Sequence, residues 1–132
     1  MYFLDTNICI YFLNGNNKNV YKNILMHSDR EIKIPNIVKV ELLVGAYKSN
    51  AKKRNVEVVT RFLKSFEIVP FTDEMKEAYA DIRSILEANG NSIGLNDILI
   101  VTIVRSRKGV LITHNAKEFS RVKNLEIEYW TK

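Results

Sequence analysis

The chain has 132 residues but only one cysteine, Cys9, two prolines, Pro35 and Pro70, and one tryptophan, Trp130. A lone thiol excludes an internal disulfide and a zinc site built from cysteines, and it suits a reducing compartment. Long hydrophobic runs are also missing. The longest, Ile98 to Val104, contains Thr102 and falls far short of the roughly 20 residues that cross a bilayer. The opening Met1-Tyr2-Phe3-Leu4-Asp5 has no basic flank and meets an acid at once, so it does not read as a signal peptide. There is no repeat and no low-complexity block. Acids are the scarcer charge: 15 Asp and Glu stand against 20 Lys and Arg, a net +5 with pI near 9.3. Such a surplus fits a polyanionic partner and fits plain solubility equally well.

What is present is the material for a core. Hydrophobic residues make up 46% and charged residues 27% of the chain, which excludes a disordered tail. The length predicts one domain, residues 1–132. Short β-like runs recur at Tyr2–Leu4, Ile32–Ile34, Ile68–Val69, Val110–Ile112 and Ile127–Tyr129. Between most of them lie helical spacings. These are Ile8–Leu13, Tyr21-Ile24-Leu25, the stripe Ile37-Val40-Val44-Tyr47, then Val58-Val59-Phe62-Phe66, and Met75-Tyr79-Ile82-Ile85-Leu86 closed by Asn89-Gly90. Strands alternating with helices predict a parallel sheet covered on both faces.

The run Ile98–Val104 is β-branched enough to be a strand. Only Arg105 to Gly109 separate it from Val110–Ile112, and parallel strands need a crossover of a dozen or more residues. It is therefore either one arm of a hairpin or a fully buried helix. We favour the helix, with Gly109 as its stop and Arg105, Arg107 and Lys108 at its negative end.

Three acids sit where a core would be expected. Asp5 follows the first strand in Leu4-Asp5-Thr6-Asn7. It is placed to cap the next helix, or to serve a ligand site at the carboxyl end of a strand. Glu41 has Ile37, Val38, Val44 and Gly45 as its helical neighbours, and a carboxylate there needs a partner. A salt bridge to Lys39 or Lys48 is one; a metal is another. Asp97 opens the apolar run and serves either the helix start or a site. If the fold brings these acids together, they repel one another. A hard divalent cation such as Mg²⁺ relieves that repulsion and makes the place tolerable to phosphate.

Four segments in order complete the picture: Leu4-Asp5-Thr6-Asn7, Val40-Glu41-Leu42-Leu43-Val44-Gly45, Ile93-Gly94-Leu95-Asn96-Asp97-Ile98-Leu99-Ile100, and Leu111-Ile112-Thr113-His114-Asn115 running on through Glu118 to Val122. With them the chain resembles the VapC-type toxins, PIN-domain ribonucleases of bacterial type II toxin–antitoxin modules, from Met1 to about Trp130. The resemblance implies a PIN-like three-layer α/β/α sandwich around a central parallel β-sheet, often dimeric. It implies a cytoplasmic endoribonuclease dependent on Mg²⁺, or Mn²⁺ in its place, cutting RNA and commonly tRNA. A cognate VapB-type antitoxin would block the site. Asp5, Glu41 and Asp97 would be the catalytic metal ligands, with Thr6 and Asn7 supporting Asp5 by hydrogen bonding. The family's fourth position, often Asp, follows the Thr of the late strand, here Thr113; it falls on Asn115, which brings a carbonyl oxygen but no charge. Glu118 either compensates or pairs with Asn115 in a capping box.

The expected reaction is in-line attack on a phosphodiester by water activated at the metal, with no histidine needed. His27 reads as a surface residue, and His114 as pointing away from the site. Lys39, Lys48, Arg105 and Lys108 are the leading candidates for contacting RNA. Cys9 and Trp130 read as packing residues. Asn7 at the second acidic position argues against a phosphoaspartyl phosphatase, and the absence of a Lys directly after Val110–Thr113 argues against a receiver domain. A catalytically weak RNA-binding PIN module and a PIN nuclease acting on DNA remain the alternatives.

Overall fold

A computed structural model describes all 132 residues. Five strands form one parallel sheet: β1 (Tyr2–Leu4), β2 (Ile32–Pro35), β3 (Glu67–Val69), β4 (Val110–Ile112) and β5 (Glu126–Glu128), in the order β3-β2-β1-β4-β5. Crossovers carry α1 (Thr6–Asn14) and α2 (Lys18–Met26), then α3 (Asn36–Lys48) and α4 (Lys52–Leu63). A 3₁₀ turn at Asp73–Met75 leads into α5 (Lys76–Ala88) and α6 (Leu95–Ser106), and the short α7 (Ala116–Phe119) precedes β5. Helices cover both faces of the sheet. The expected α/β/α sandwich is the observed one.

Each expected strand is present, and the last lies one residue earlier than expected. Central β1 pairs with β2 on one side and β4 on the other, Phe3 lying opposite Lys33 and Leu111. Chain order therefore turns back between β1 and β4. That reversal opens a crevice at the carboxyl ends of the two strands, where open α/β sheets bind ligands.

The run Ile98–Val104 is helical, as the short connection to β4 requires. Ile98 and all residues from Ile100 to Val104 are buried, and Thr102 satisfies its hydroxyl on the Ile98 carbonyl at 2.6 Å. Packing on all sides overrides β-propensity here. Gly109 takes part in the helix stop as expected, its N–H donating to the Val104 carbonyl at 2.9 Å, but it is not the left-handed residue. Lys108 takes the left-handed conformation that ends the helix, with φ 55°. Gly109 is needed because a Cβ there would lie 2.4 Å from Phe3 Cε2.

Two side-chain placements go beyond the sequence pattern. Of the helical stripe Ile37-Val40-Val44-Tyr47, Ile37 packs against the core, while Val40, Val44 and Tyr47 are 57%, 46% and 58% exposed. Val38, Leu42 and Ala46 are buried instead. The helix is apolar on several sides, so spacing alone singles out no face. His27 is not a plain surface residue. Its ring stacks on buried Trp130 at 4.6 Å and meets Tyr2 edge-on at 4.8 Å.

Candidate active site

Asp5 is the first residue past β1, and Thr113 the first past β4. Thr113 Oγ1 donates to Asp5 Oδ2 at 2.5 Å. The Ile8 N–H donates to Asp5 Oδ1 at 2.9 Å, so Asp5 caps α1. Capping and site residence, alternatives in the sequence, are thus combined in one buried carboxylate. Burial pushes its pKa up, the Thr113 and Ile8 hydrogen bonds oppose that, and the charge of Glu41 adds to it.

Glu41 projects from α3 into the same cleft. Neither Lys39 nor Lys48 pairs with it. Thr6 Oγ1 donates to its Oε1 at 2.5 Å, and Asn96 Nδ2 reaches its Oε2 at 3.4 Å. The expected role of Thr6 is thereby corrected: it holds Glu41 rather than Asp5. Asn96 escaped the sequence reading; its one signal was an amide beside Asp97 at a helix start.

Asp97 lies in the first turn of α6, behind Gly94 at the cap position. Its pKa is pushed up to about 6, first by burial and then by the charges of Glu118, Glu41 and Asp5. Glu118 is therefore near enough to act on Asp97. Asn115 holds Glu118 through its Nδ2 and makes no side-chain cap to α7, so the capping-box alternative does not form. The Asn115 N–H is bound instead by Thr113 Oγ1 at 3.0 Å.

Asp5, Thr6, Asn7, Glu41, Asp97, Asn115 and Phe119 line one cleft of about 240 Å³. No three acidic, histidine or cysteine side chains converge tightly enough to enclose an ion directly. The donors are hard oxygens in an open cleft, and their mutual repulsion is visible in the Asp97 shift. Such a set fits a divalent cation that keeps several waters, as Mg²⁺ does, and does not fit a closed cage. His114 is exposed and contacts Thr131 at 3.2 Å, yet its charge eases the ionisation of Asp5.

The proposed RNA-contacting cations divide. Lys48 lies seven residues beyond Glu41 on α3, on the same helix face, whereas Lys39, two residues before it, points elsewhere. Arg105 and Lys108 lie at the far end of α6 from Asp97. Arg105 is tied there to the Lys123 carbonyl and to Asp81. The fold does not bring these two to the cleft, because α6 spans the sheet from one end to the other.

The PIN domain family matches residues 2–125. The chain is 38% identical to Ribonuclease VapC2 of Rickettsia felis, over 100% of this chain and 99% of the relative. It is 31% identical to the tRNA(fMet)-specific endonuclease VapC of Salmonella typhimurium, over 98% and 97%. A crystal structure of VapBC2 from Rickettsia felis, bound to a promoter DNA fragment, contains a chain that superposes with TM-score 0.91 at 37% identity, covering 98% of each chain. No helix is long and apolar enough to cross a membrane. With strand-end carboxylates at the sheet's reversal point and this likeness along its whole length, the chain belongs to the PIN-domain family and, within it, to the VapC ribonucleases.

Proposed function

We propose that residues 1–132 form one nuclease unit, the toxin of a type II toxin–antitoxin module, and that it cleaves RNA endonucleolytically, with tRNA as its substrate class. The observation that carries this reading is the meeting of Asp5, Glu41 and Asp97 in one cleft where β1 and β4 end. In this reading all three hold a divalent cation, Mg²⁺ with Mn²⁺ as its substitute. When bound, such a cation activates water and offsets charge on the phosphate.

The chain's own residues do the rest. Thr113 and the Ile8 N–H keep Asp5 oriented and favour its ionised form. Thr6 and Asn96 hold both oxygens of Glu41 in place before any metal arrives. Glu118, held by Asn115, adds negative charge beside Asp97 and supplies what Asn115 lacks.

A VapB-type antitoxin is the proposed partner; solved relatives of this fold are VapBC complexes. A second copy of the chain is the proposed cover for the stripe Val40, Val44 and Tyr47, which the fold leaves exposed. The buried free thiol of Cys9 accords with a bacterial cytoplasmic setting. Sequencing RNA ends after brief expression, beside the Asp97→Asn variant, tests the activity. New ends in tRNA with the parent chain alone support it; identical ends with both overturn it.

A further inference from the structure

The second half of α5, the last turn of α6 and the segment that leaves α7 meet around a shallow hollow of about 20 Å³. Ile82, Leu86 and Val122 floor it, and Arg105, Arg121 and Lys123 form its rim. Asp81 is the one acid paired with any of the three, 3.8 Å from Arg105. Arg121 and Lys123 are exposed and take part in none of the chain's ion pairs. So small a hollow lies far below the range of small-ligand sites. A partner here meets the charged rim and not an interior.

Internal hydrogen bonds hold this rim in shape. Arg105 Nη1 donates to the Lys123 carbonyl at 3.2 Å and fastens the segment after α7 to α6. Arg121 Nη1 donates to the Ser92 carbonyl at 3.4 Å, in the connection that leads into α6. A guanidinium has five N–H donors in a planar fork, so most of those on Arg121 remain for a ligand. The rim also follows on from the carboxylate cleft. Phe119 lines that cleft, and Arg121 stands two residues beyond it. Asp97 and Arg105 lie on one helix, about 12 Å apart along its axis at roughly 1.5 Å per residue. A polyanion seated in the cleft and running along α6 thus meets unpaired positive charge a few phosphates away.

We propose that Arg121 and Lys123 bind the phosphate backbone of an RNA stem beside the cleaved bond, so that the chain prefers a structured RNA to an unpaired strand. Sites for unpaired strands stack bases on aromatic side chains, and no aromatic residue lines this hollow. Stems are held by shape and by phosphate contacts, which exposed and unpaired cations supply. A protein partner draws most of its binding energy from side chains seated in pockets, and this hollow seats none. The proposal rests on the reading of the cleft as an RNA-cleaving site.

The test compares the parent chain with Lys123→Gln and with the double variant Arg121→Gln, Lys123→Gln. Glutamine at position 121 keeps an N–H donor for the Ser92 carbonyl while removing the charge. The probes are a synthetic RNA stem-loop and an unpaired RNA strand carrying the same loop sequence. Binding is read by fluorescence anisotropy without divalent metal, and cleavage with Mg²⁺. In the double variant the stem-loop Kd and KM should rise about tenfold or more with kcat little changed, while the unpaired strand stays within about twofold of the parent. The slope of log affinity against log salt for the stem-loop should fall by about 1 for each cation removed. Parent-like stem-loop Kd and salt slope in the double variant overturn the proposal. An equal loss on both RNAs overturns it too, because the defect then lies at the cleft. If the double variant fails to fold, Lys123→Gln decides by whether its salt slope falls by about 1 or stays unchanged. Parent-like RNA binding with weakened antitoxin binding overturns the proposal in favour of a protein-docking surface. Stem-loop binding that depends on both cations, in a chain that cleaves neither RNA, overturns the reading of the cleft and supports this surface alone.

Discussion

Thr113 Oγ1 lies 2.5 Å from Asp5 Oδ2, joining the carboxyl ends of β4 and β1 across 108 residues of sequence. The bond holds a buried carboxylate at the point where the sheet reverses direction. Both residues are almost fully shielded from water, so Asp5 Oδ2 depends on the Thr113 hydroxyl for its donor.

Replacing Thr113 with Val removes that donor and leaves Asp5 Oδ2 without one. The fold should lose on the order of 1–3 kcal/mol, read as a shift in urea midpoint. The Asp5 pKa should rise further, so Mn²⁺ affinity should fall most at mildly acidic pH. Thr113→Ser should restore both, since the hydroxyl returns.

Asp5 has two tasks that substitutions can separate. Asp5→Asn keeps a carbonyl oxygen for the Ile8 N–H, while Asp5→Ala removes the cap, at a cost of about 1 kcal/mol. Both should abolish metal-dependent RNA cleavage, and only Asp5→Ala should also lower the melting temperature appreciably. Retained cleavage in Asp5→Asn would remove Asp5 from the metal site.

Asp97 makes the metal-free protein sensitive to pH. Its folded pKa is raised to about 6, against roughly 4 in an unfolded chain. The native state therefore binds more protons than the unfolded state between these values, and stability falls as pH rises through that window. The stability it adds is fully present below pH 4 and gone above about 6. Asp97→Asn should flatten this dependence and raise the neutral-pH melting temperature, while abolishing cleavage. Mg²⁺ should stabilise the parent chain at neutral pH and leave Asp97→Asn unchanged.

Gly109 has no room for a side chain. A Cβ would come 2.4 Å from Phe3 Cε2 and 3.3 Å from the Met1 carbonyl oxygen, and Phe3 is wholly buried. Gly109→Ala should cost about 1–3 kcal/mol through overpacking and lower the melting temperature by several degrees. The altered residue lies at the opposite end of β4 from Thr113, so the cleavage chemistry should survive in the folded fraction.

The tail provides a further check on packing. Trp130 is 1% exposed and stacks on His27 at 4.6 Å. Trp130→Ala should cost about 3–5 kcal/mol, as large aromatic truncations in cores do, measured by chemical denaturation.

The alternation of strands and helices was legible in the sequence because a parallel strand demands a crossover, and only helical spacings fill the gaps. The same rule decided that Ile98–Val104 is a helix, against its β-branched composition. The acids were legible too, since Asp5, Glu41 and Asp97 each stand among apolar residues in the sequence. What each acid touches was not. Thr6 was expected to serve Asp5, and only the approach of α3 to α1 assigned it to Glu41. Glu118 could have capped α7, and only the placement of Asp97 nearby made it part of the site's charge. The exposed face of α3 was equally hidden: an apolar helix carries no periodic mark of which side meets the sheet. Local pattern determines elements because it follows from backbone geometry. Partners such as Thr113 for Asp5 are set by how distant elements pack, and that the tertiary structure alone decides.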